Sequence, residues 1–309
     1  MMKSRVLITG INGFIGSNLE EYIKEKYPSW QIYGIDKKGN KPSRFFELDI
    51  KNKKELKSIL CQIKPVYIYH LAGNVAAKDF KELLLSNVFD TFVLLETIKE
   101  IKNYNPRIII PSSASEYGRV CSTEMPIRED LTLNPLSLYG FSKMMQTNLS
   151  LLFVEKGLDI VIARIFNITG KGTPIDFSIG KFAYELALIK KKKKRPIIYT
   201  KNLYTERDFL DIRDVGKYLV AVALCGNRGE VYNICRGKSY SIRYLLNRLI
   251  KISGIKNIKI IKDKEYDKES NVADSFGSTK KLKKITKRIE FIPIDKSLED
   301  TYFYYLTRV

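Results

Sequence analysis

The chain has a single histidine in 309 residues, His70, and its four cysteines, Cys61, Cys121, Cys225 and Cys235, lie far apart with no Cys-x-x-Cys pair. No His/Cys spacing of the kind that builds a zinc site is left, so no metal is expected. Scattered cysteines without a framework read as reduced thiols, and hence as a cytoplasmic protein. No run of about 18 apolar residues occurs, so no membrane-spanning helix is expected. Met1-Met2-Lys3-Ser4-Arg5 leads into an apolar stretch with no signal-peptide hydrophobic region, which gives the same expectation of location. Acidic residues are few beside basic ones, 34 against 54, for a formal net charge of +20. Such a charge raises nucleic-acid binding as a reading. The lysines are spread along the whole chain, however. The one dense run, Lys190 to Arg195, follows an amphipathic stretch and precedes Pro196, as a solvated helix end does. No nucleic-acid or membrane partner is expected, and the charge is expected to help attract an anionic small molecule.

What is present is an ordinary globular composition, 44% hydrophobic, with length enough for one elaborated domain or two joined ones. Strand-like runs fall at 4–10, 31–36, 44–49, 67–72, 107–113 and 159–166. Helical spacing falls at 14–27, 52–62, 80–103 and 137–157. The alternation predicts an α/β fold with a Rossmann-like, doubly wound parallel sheet and ligands at the carboxyl ends of its strands. After 166 the pattern loosens into Gly/Pro loops, a helix near 178–192 and a mixed α/β portion. The expected division is a dinucleotide-binding domain of 1–166 plus about 208–233. A smaller α/β substrate-binding lobe takes about 167–207 plus 234–309.

Between the first strand and the first helix stands Thr9-Gly10-Ile11-Asn12-Gly13-Phe14-Ile15-Gly16. Gly10 allows the tight turn, Gly13 lets backbone N–H groups approach a pyrophosphate, and Gly16 lets the helix pack closely on the sheet. The helix N-terminus presents unpaired donors and a positive dipole end to the anion. Asp36 ends the next apolar run, twenty residues after Gly16, where a carboxylate is placed to bond an adenosine ribose.

Tyr139 and Lys143 are four apart, on one face of a helix. An ammonium beside a phenol lowers its pKa. Such a tyrosine can exchange a proton with a sugar alcohol or ketone while hydride moves to or from nicotinamide. The pair follows by about 25 residues a strand ending in Pro111-Ser112-Ser113-Ala114-Ser115-Glu116-Tyr117-Gly118, which brings hydroxyls to the same mouth. The stripe Leu83-Leu84-Leu85, Phe89, Phe92, Leu94-Leu95 reads as core or as the face of a helix-paired homodimer.

These pieces, in this order, resemble the extended short-chain dehydrogenases/reductases, the NAD-dependent epimerase/dehydratase family, which act on nucleotide sugars. Asp49-Ile50, His70-Leu71-Ala72, Asn87, Arg164-x-Phe166-Asn167, Arg207–Val215 and Val231-Tyr232-Asn233-Ile234 extend the match to nearly the whole length. The resemblance implies a catalytic triad of Ser113, Tyr139 and Lys143. It implies cofactor binding by Gly10, Asn12, Gly13, Phe14, Ile15, Gly16, Asp36, Asp49, Ile50, Leu71, Ala72, Gly73, Asn87, Tyr139 and Lys143. Ser113, Ser115, Asn167, Arg207 and Lys268 would meet the substrate, and His70 would hold loop structure. The cofactor implied is NAD(H), with NADP(H) as the alternative. Ala114 and Ser115 stand where the 4,6-dehydratases carry Asp-Glu, and Thr169 stands where the common 4-epimerases carry tyrosine. Ser115–Gly118, Gly172–Phe177 and Gly277–Leu282 are similar to the GDP-4-keto-6-deoxyhexose 4-reductases. A substrate arginine expected near 268 is a lysine. The activity implied is reduction of the C4 ketone of a nucleotide-activated 4-keto-6-deoxyhexose, with an NAD-dependent 4-epimerase as the alternative. A non-catalytic dinucleotide sensor would not need the Ser113/Tyr139/Lys143 proton relay.

Overall fold

The computed structural model describes residues 4–39, 43–75, 77, 79–200, 202–262, 275–286 and 288–309. Lys268 lies outside the described residues. The first half alternates strand and helix in the order β1 (Arg5–Thr9), α1 (Phe14–Lys26), β2 (Gln31–Asp36), β3 (Phe45–Glu47), α2 (Lys53–Ile63), β4 (Tyr67–His70), α3 (Phe80–Leu83), α4 (Asp90–Lys99), β5 (Arg107–Ser113), α5 (Leu138–Glu155) and β6 (Asp159–Ile165). Between α3 and α4, Leu84–Phe89 form a wide π-helical stretch, so the single helix expected over 80–103 carries an extra residue inside it. It stops at Lys99, before Asn103 turns to a positive φ of 54°.

After β6 the chain leaves the sheet for β7 (Asn167–Thr169), α6 (Ser178–Lys190), β8 (Ile197–Thr200) and β9 (Glu206–Asp211). It returns through α7 (Ile212–Cys225) to β10 (Val231–Ile234). It ends in β11 (Ser239–Ser241), α8 (Ile242–Ser253), β12 (Lys259–Lys262), α9 (Lys280–Thr286) and α10 (Ile294–Leu306).

Seven strands form one parallel sheet in the order β10-β6-β5-β4-β1-β2-β3. Strand alternation divides its apolar side chains between two layers. Val6 and Ile8 face α1 and α7, packing with Leu19, Ile23, Val215 and Leu219. Leu7 faces the other way with Ile108, Ile110 and Ile160, under Leu56, Leu60, Leu94 and Phe153. The order reverses between β1 and β4, which opens a crevice at their carboxyl ends, where Thr9-Gly10 and His70-Leu71 emerge. A smaller body has its own core of Phe182, Leu186, Leu245, Leu249, Leu298 and Tyr302, with the sheets β11-β9-β7 and β12-β8 beside it. The segment 280–291 departs from the expected division. Leu282, Ile285, Ile289 and Phe291 pack with α1 and α7 on the large sheet, not with the smaller body to which 234–309 was assigned.

Candidate active site

The turn out of β1 is built by what its glycines lack. Gly10 takes φ +67°, and a Cβ there would lie 2.7 Å from the Ala72 nitrogen and 2.8 Å from the Leu71 carbonyl carbon. A Cβ on Gly16 would lie 2.2 Å from the Gly10 oxygen. The β1 turn, the β4 turn and α1 are therefore in backbone contact. Gly13 is the N-cap of α1, with no side-chain cap and no acidic residue in the first turn, so its leading N–H donors face the crevice without a competing carboxylate. Asp36 brackets this turn from β2: Oδ2 accepts the Asn12 N–H at 3.0 Å and Oδ1 the Lys37 N–H at 2.8 Å. Asn12 also donates through Nδ2 to the Lys38 carbonyl at 2.7 Å.

Along the β2–β3 side, Ile50 is buried. Burial alone would raise the Asp49 carboxyl. The Lys51 backbone N–H and the Lys37 ammonium, 3.4 Å away, outweigh it and hold the group below the usual carboxylate range. Asp90, on α4, is buried and its Oδ1 has no hydrogen-bond partner. Burial lifts it to about 6, against the attraction of Lys37 and Lys51. A glycine cradle, an uncapped helix N-terminus and a carboxylate at the end of β2, with an orphaned buried acceptor near Lys37 and Asp49, together fit a dinucleotide.

Two other residues brace this crevice from below. His70 lies buried between Thr9 Oγ1 (2.9 Å) and Thr91 Oγ1 (3.0 Å), and burial, helped by Lys143, drives its pKa down to about 3. It is a neutral tie between β1, β4 and α4, in line with the loop-holding role expected of it. Asn87 is buried beneath the 73–74 turn. Its Oδ1 accepts the Asn74 N–H at 2.9 Å, and its Nδ2 donates to the Asn74 carbonyl and to Ser142 Oγ, both at 3.0 Å. Asn87 thus shapes the Leu71-Ala72-Gly73 turn, with its amide already spent on protein partners.

The mouth beside the cradle is formed where β5 ends against the start of α5. Ser137 caps α5 by accepting the Gly140 N–H at 3.0 Å. A Cβ on Gly140 would lie 2.5 Å from the Ser115 carbonyl, so the first turn of α5 sits directly on the Ala114–Glu116 turn. That contact brings Tyr139 near Ser113, close enough for the hydroxyl to act on the phenol. Burial pushes Tyr139 up to about 12. The Ser113 hydroxyl works against the rise and the Glu116 carboxylate adds to it. The lowering expected from Lys143 is therefore not what this arrangement gives. The Lys143 Nζ donates instead to the Pro111 carbonyl at 2.6 Å and to Gln146 Oε1. Lys143 itself is brought down to about 8 by burial, with Glu116 acting in the opposite direction.

Glu116 stands one residue beyond the pair Ala114-Ser115 that replaces the Asp-Glu of the dehydratases. It is fully buried, accepts the Ser113 backbone N–H at 3.3 Å and Thr147 Oγ1–H at 3.1 Å, bonds Ser112 Oγ, and pairs with Arg164 Nη2 at 3.1 Å. The signal was present as Ser113-x-x-Glu116, a capping-box spacing, and the structure forms that box. A carboxylate so enclosed cannot face a sugar.

On the far side of the mouth, Asn167 on β7 stands opposite Phe209 on β9, two residues from Arg207. Asn167 Nδ2 donates to the Asp208 carbonyl at 3.2 Å, and Arg207 Nη1 to the Glu206 carbonyl at 2.6 Å. Ser115 is exposed at the rim. Asp208, buried and lifted by burial to about 6, accepts the N–H groups of Arg236, Gly237 and Gly277. It fixes the wall of the smaller body against the mouth. Among the described residues no group of three or more His, Cys, Asp or Glu could hold a metal, and no helix is long and apolar enough to cross a membrane.

Comparison with known proteins agrees with this geometry. GDP-6-deoxy-D-mannose reductase of Pseudomonas aeruginosa is 28% identical over 267 residues, spanning 85% of this chain and 84% of that protein. GDP-6-deoxy-D-talose 4-dehydrogenase of Aggregatibacter actinomycetemcomitans is 26% identical over 302 residues, 96% of this chain and 97% of that protein. Among solved structures, RMD from Pseudomonas aeruginosa complexed with NADPH has a TM-score of 0.89 at 27% identity, covering 99% of this chain and 100% of that one. UDP-glucuronic acid 4-epimerase from Bacillus cereus, in complex with UDP-glucuronic acid and NAD, has a TM-score of 0.84 at 28% identity, covering 99% and 100%. The family described as NAD dependent epimerase/dehydratase matches residues 6–235, and the chain belongs to it.

Proposed function

We propose that the protein reduces the C4 ketone of a nucleotide-activated 4-keto-6-deoxyhexose with NADH or NADPH, in the biosynthesis of a deoxyhexose for polysaccharide. The observation that carries this is the closeness of Ser113 and Tyr139 where β5 meets α5 beside the glycine cradle, with the nearby Glu116 carboxylate locked away on Arg164. A proton donor and an oxyanion partner are in reach of a sugar oxygen, and among the described residues the acid nearest them is already paired. The relatives named for GDP-6-deoxyhexose chemistry support the same reading.

The nicotinamide cofactor, when bound, supplies the hydride. Gly10, Asn12, Gly13, Phe14, Ile15 and Gly16 cradle its pyrophosphate and Asp36 its adenosine ribose. Asp49 and Ile50 meet the adenine, and the Leu71–Gly73 turn closes the crevice. Tyr139, protonated across the working pH range, gives its proton to the oxygen forming at C4. Ser113 hydrogen-bonds that oxygen. Lys143 holds the nicotinamide ribose and carries positive charge behind the phenol. Asn167 and Arg207 take the substrate diphosphate, the arginine through its planar fork. Ser115 and Lys268 join the substrate side. In this reading the large sheet, with 208–233 and 280–291, is the cofactor body, and the remainder after 166 is the substrate body.

We assign the exposed apolar face of Leu85, Phe89 and Phe92, with Leu138, Phe141 and Leu152 on neighbouring α5, to a homodimer contact. The four cysteines are unpaired, three of them exposed, which suits the cytoplasm.

The test is isotopic. With a GDP-4-keto-6-deoxyhexose, deuteride carried on nicotinamide should appear at C4 of the product, with one reduced cofactor consumed per turnover. If UDP-sugars interconvert at C4 with no added cofactor and no deuterium uptake, the epimerase reading replaces this one.

A further inference from the structure

The geometry points to Glu116 as a positioning residue that clamps the strand end bearing Ser113 to the helix bearing Tyr139 and Lys143. The inference rests on the reductase reading above. Four contacts carry it. Glu116 Oε1 takes the Ser113 backbone N–H at 3.3 Å and bonds Ser112 Oγ, so it holds the end of β5 from beneath. Thr147 Oγ1 donates to both carboxylate oxygens, at 3.1 and 3.2 Å. Thr147 lies four residues after Lys143 and eight after Tyr139, on the same face of α5, so the carboxylate ties that face to Ser113. The second oxygen is anchored by Arg164 Nη2 at 3.1 Å from β6.

Arg164 is itself held. Its guanidinium lies 4.6 Å over the Tyr117 ring, and Nη1 donates to the Tyr117 hydroxyl at 2.9 Å. Tyr117 donates in turn to Asn233 Oδ1 at 2.7 Å, and the Asn233 N–H goes to Glu129 at 3.0 Å. Every member but Glu129 and the half-exposed Ser113 is buried, so the clamp is rigid and dry.

The carboxylate also acts by its charge. The ionisable groups around it are Arg164 from β6, Tyr117 from its own turn, and Tyr139 and Lys143 from α5, with the neutral His70 of β4 beside Lys143. Glu116 favours the ammonium of Lys143 and the protonated phenol of Tyr139. Both are the forms a proton-donating pair needs.

Glu116→Gln keeps the shape and removes the charge. We expect its kcat to fall about tenfold or more with KM values held within about threefold, because the misplacement is felt in the transition state. The Lys143 titration, followed by NMR of 13C-labelled lysine and assigned with Lys143→Met, should shift its midpoint down from near 8 by about half a unit or more. A folded variant with kcat within about twofold of wild type overturns the proposal. A loss of turnover with the Lys143 midpoint unmoved marks a merely structural role and also overturns it. Should Glu116→Gln fail to fold, Thr147→Val decides, since it opens the clamp and keeps every charge. Its kcat should fall several-fold, and an unchanged kcat overturns the clamp. If wild type oxidises no NAD(P)H on the keto sugar, the reductase reading fails by itself, and the Lys143 midpoint still reports on Glu116.

Discussion

At the residue scale, the proposed site separates groups assigned to proton exchange from groups that burial and pairing keep from it. Tyr139 has its phenol held protonated by burial and a hydroxyl partner in Ser113. Tyr139→Phe should lower turnover by about 10²–10⁴, the usual worth of a positioned acid, with cofactor affinity nearly unchanged. Near-normal kcat in that variant removes Tyr139 from the mechanism. His70 is the opposite case. Its folded pKa, about 3, is depressed below the 6.5 of an unfolded chain. Its stabilising contribution is present above 6.5 and is lost as pH falls through the window down to 3, because only the unfolded state takes up the proton. Asp90, Asp208 and Asp214, lifted to about 6, act with the other sign between 3.8 and 6, so wild type alone does not isolate the histidine. Against His70→Gln, wild type should lose about 2 kcal/mol more stability between pH 7.5 and pH 5, read from urea unfolding. Equal losses in the two proteins contradict the buried neutral assignment. Asp36 bears on the cofactor. A carboxylate repels a ribose 2′-phosphate, and Lys37, one of the two lysines able to compensate, is engaged with Asp49. Comparing kcat/KM for the two cofactors should show NADH preferred, and a strong NADPH preference would mean Lys37 and Lys38 dominate.

At the element scale, the β5–α5 junction decides whether the mouth exists. Gly140 has no room for a side chain against the Ser115 carbonyl, so Gly140→Ala must push the first turn of α5 away from Ser113. A displacement of that kind costs about 10²-fold in kcat through misalignment alone. Turnover in this variant within a few-fold of wild type would show that the junction tolerates slippage. Elements are also where sequence and structure can be compared most directly. Six of the seven strands of the large sheet were legible as short apolar runs, as with Arg107–Ser113 and Gln31–Asp36, while β10, Val231–Ile234, was not among them. The π-helical stretch was not, since Leu84–Phe89 has the same apolar spacing as any helix and the inserted residue leaves no mark in composition. The smaller body was hard to read for another reason. Its strands of three to six residues pair across long separations, β7 with β9 and β8 with β12, and no local period encodes such pairs. Of the proposed site, Gly10, Gly16, Asp36, Tyr139 and Lys143 were singled out by their spacing and Ser113 by the family resemblance. Glu116 and Asp208 stood in the matched segments, but their roles were not legible, because those roles lie in what encloses them.

At the scale of the whole molecule, the crevice between β1 and β4 and the mouth at β5 open on the same edge of the sheet, with the smaller body facing them through Asn167 and Arg207. A ligand that spans them carries a diphosphate, and it approaches a protein of formal net charge +20. With lysines spread over the chain, the field is diffuse, so it acts on encounter more than on the bound state. Raising ionic strength shortens the screening length from about 30 Å at 0.01 M to about 8 Å at 0.15 M, which removes the long-range part and leaves direct contacts to the diphosphate largely intact. The expected outcome is a kcat/KM for the nucleotide sugar that falls several-fold over this range, carried by KM, while kcat holds constant. The decline should be shallower for an uncharged sugar lacking the diphosphate, if it turns over at all. A kcat/KM that is flat with salt would mean that the lysine surplus is inert surface and that capture of the substrate is left to short-range contacts, among them those proposed for Asn167 and Arg207.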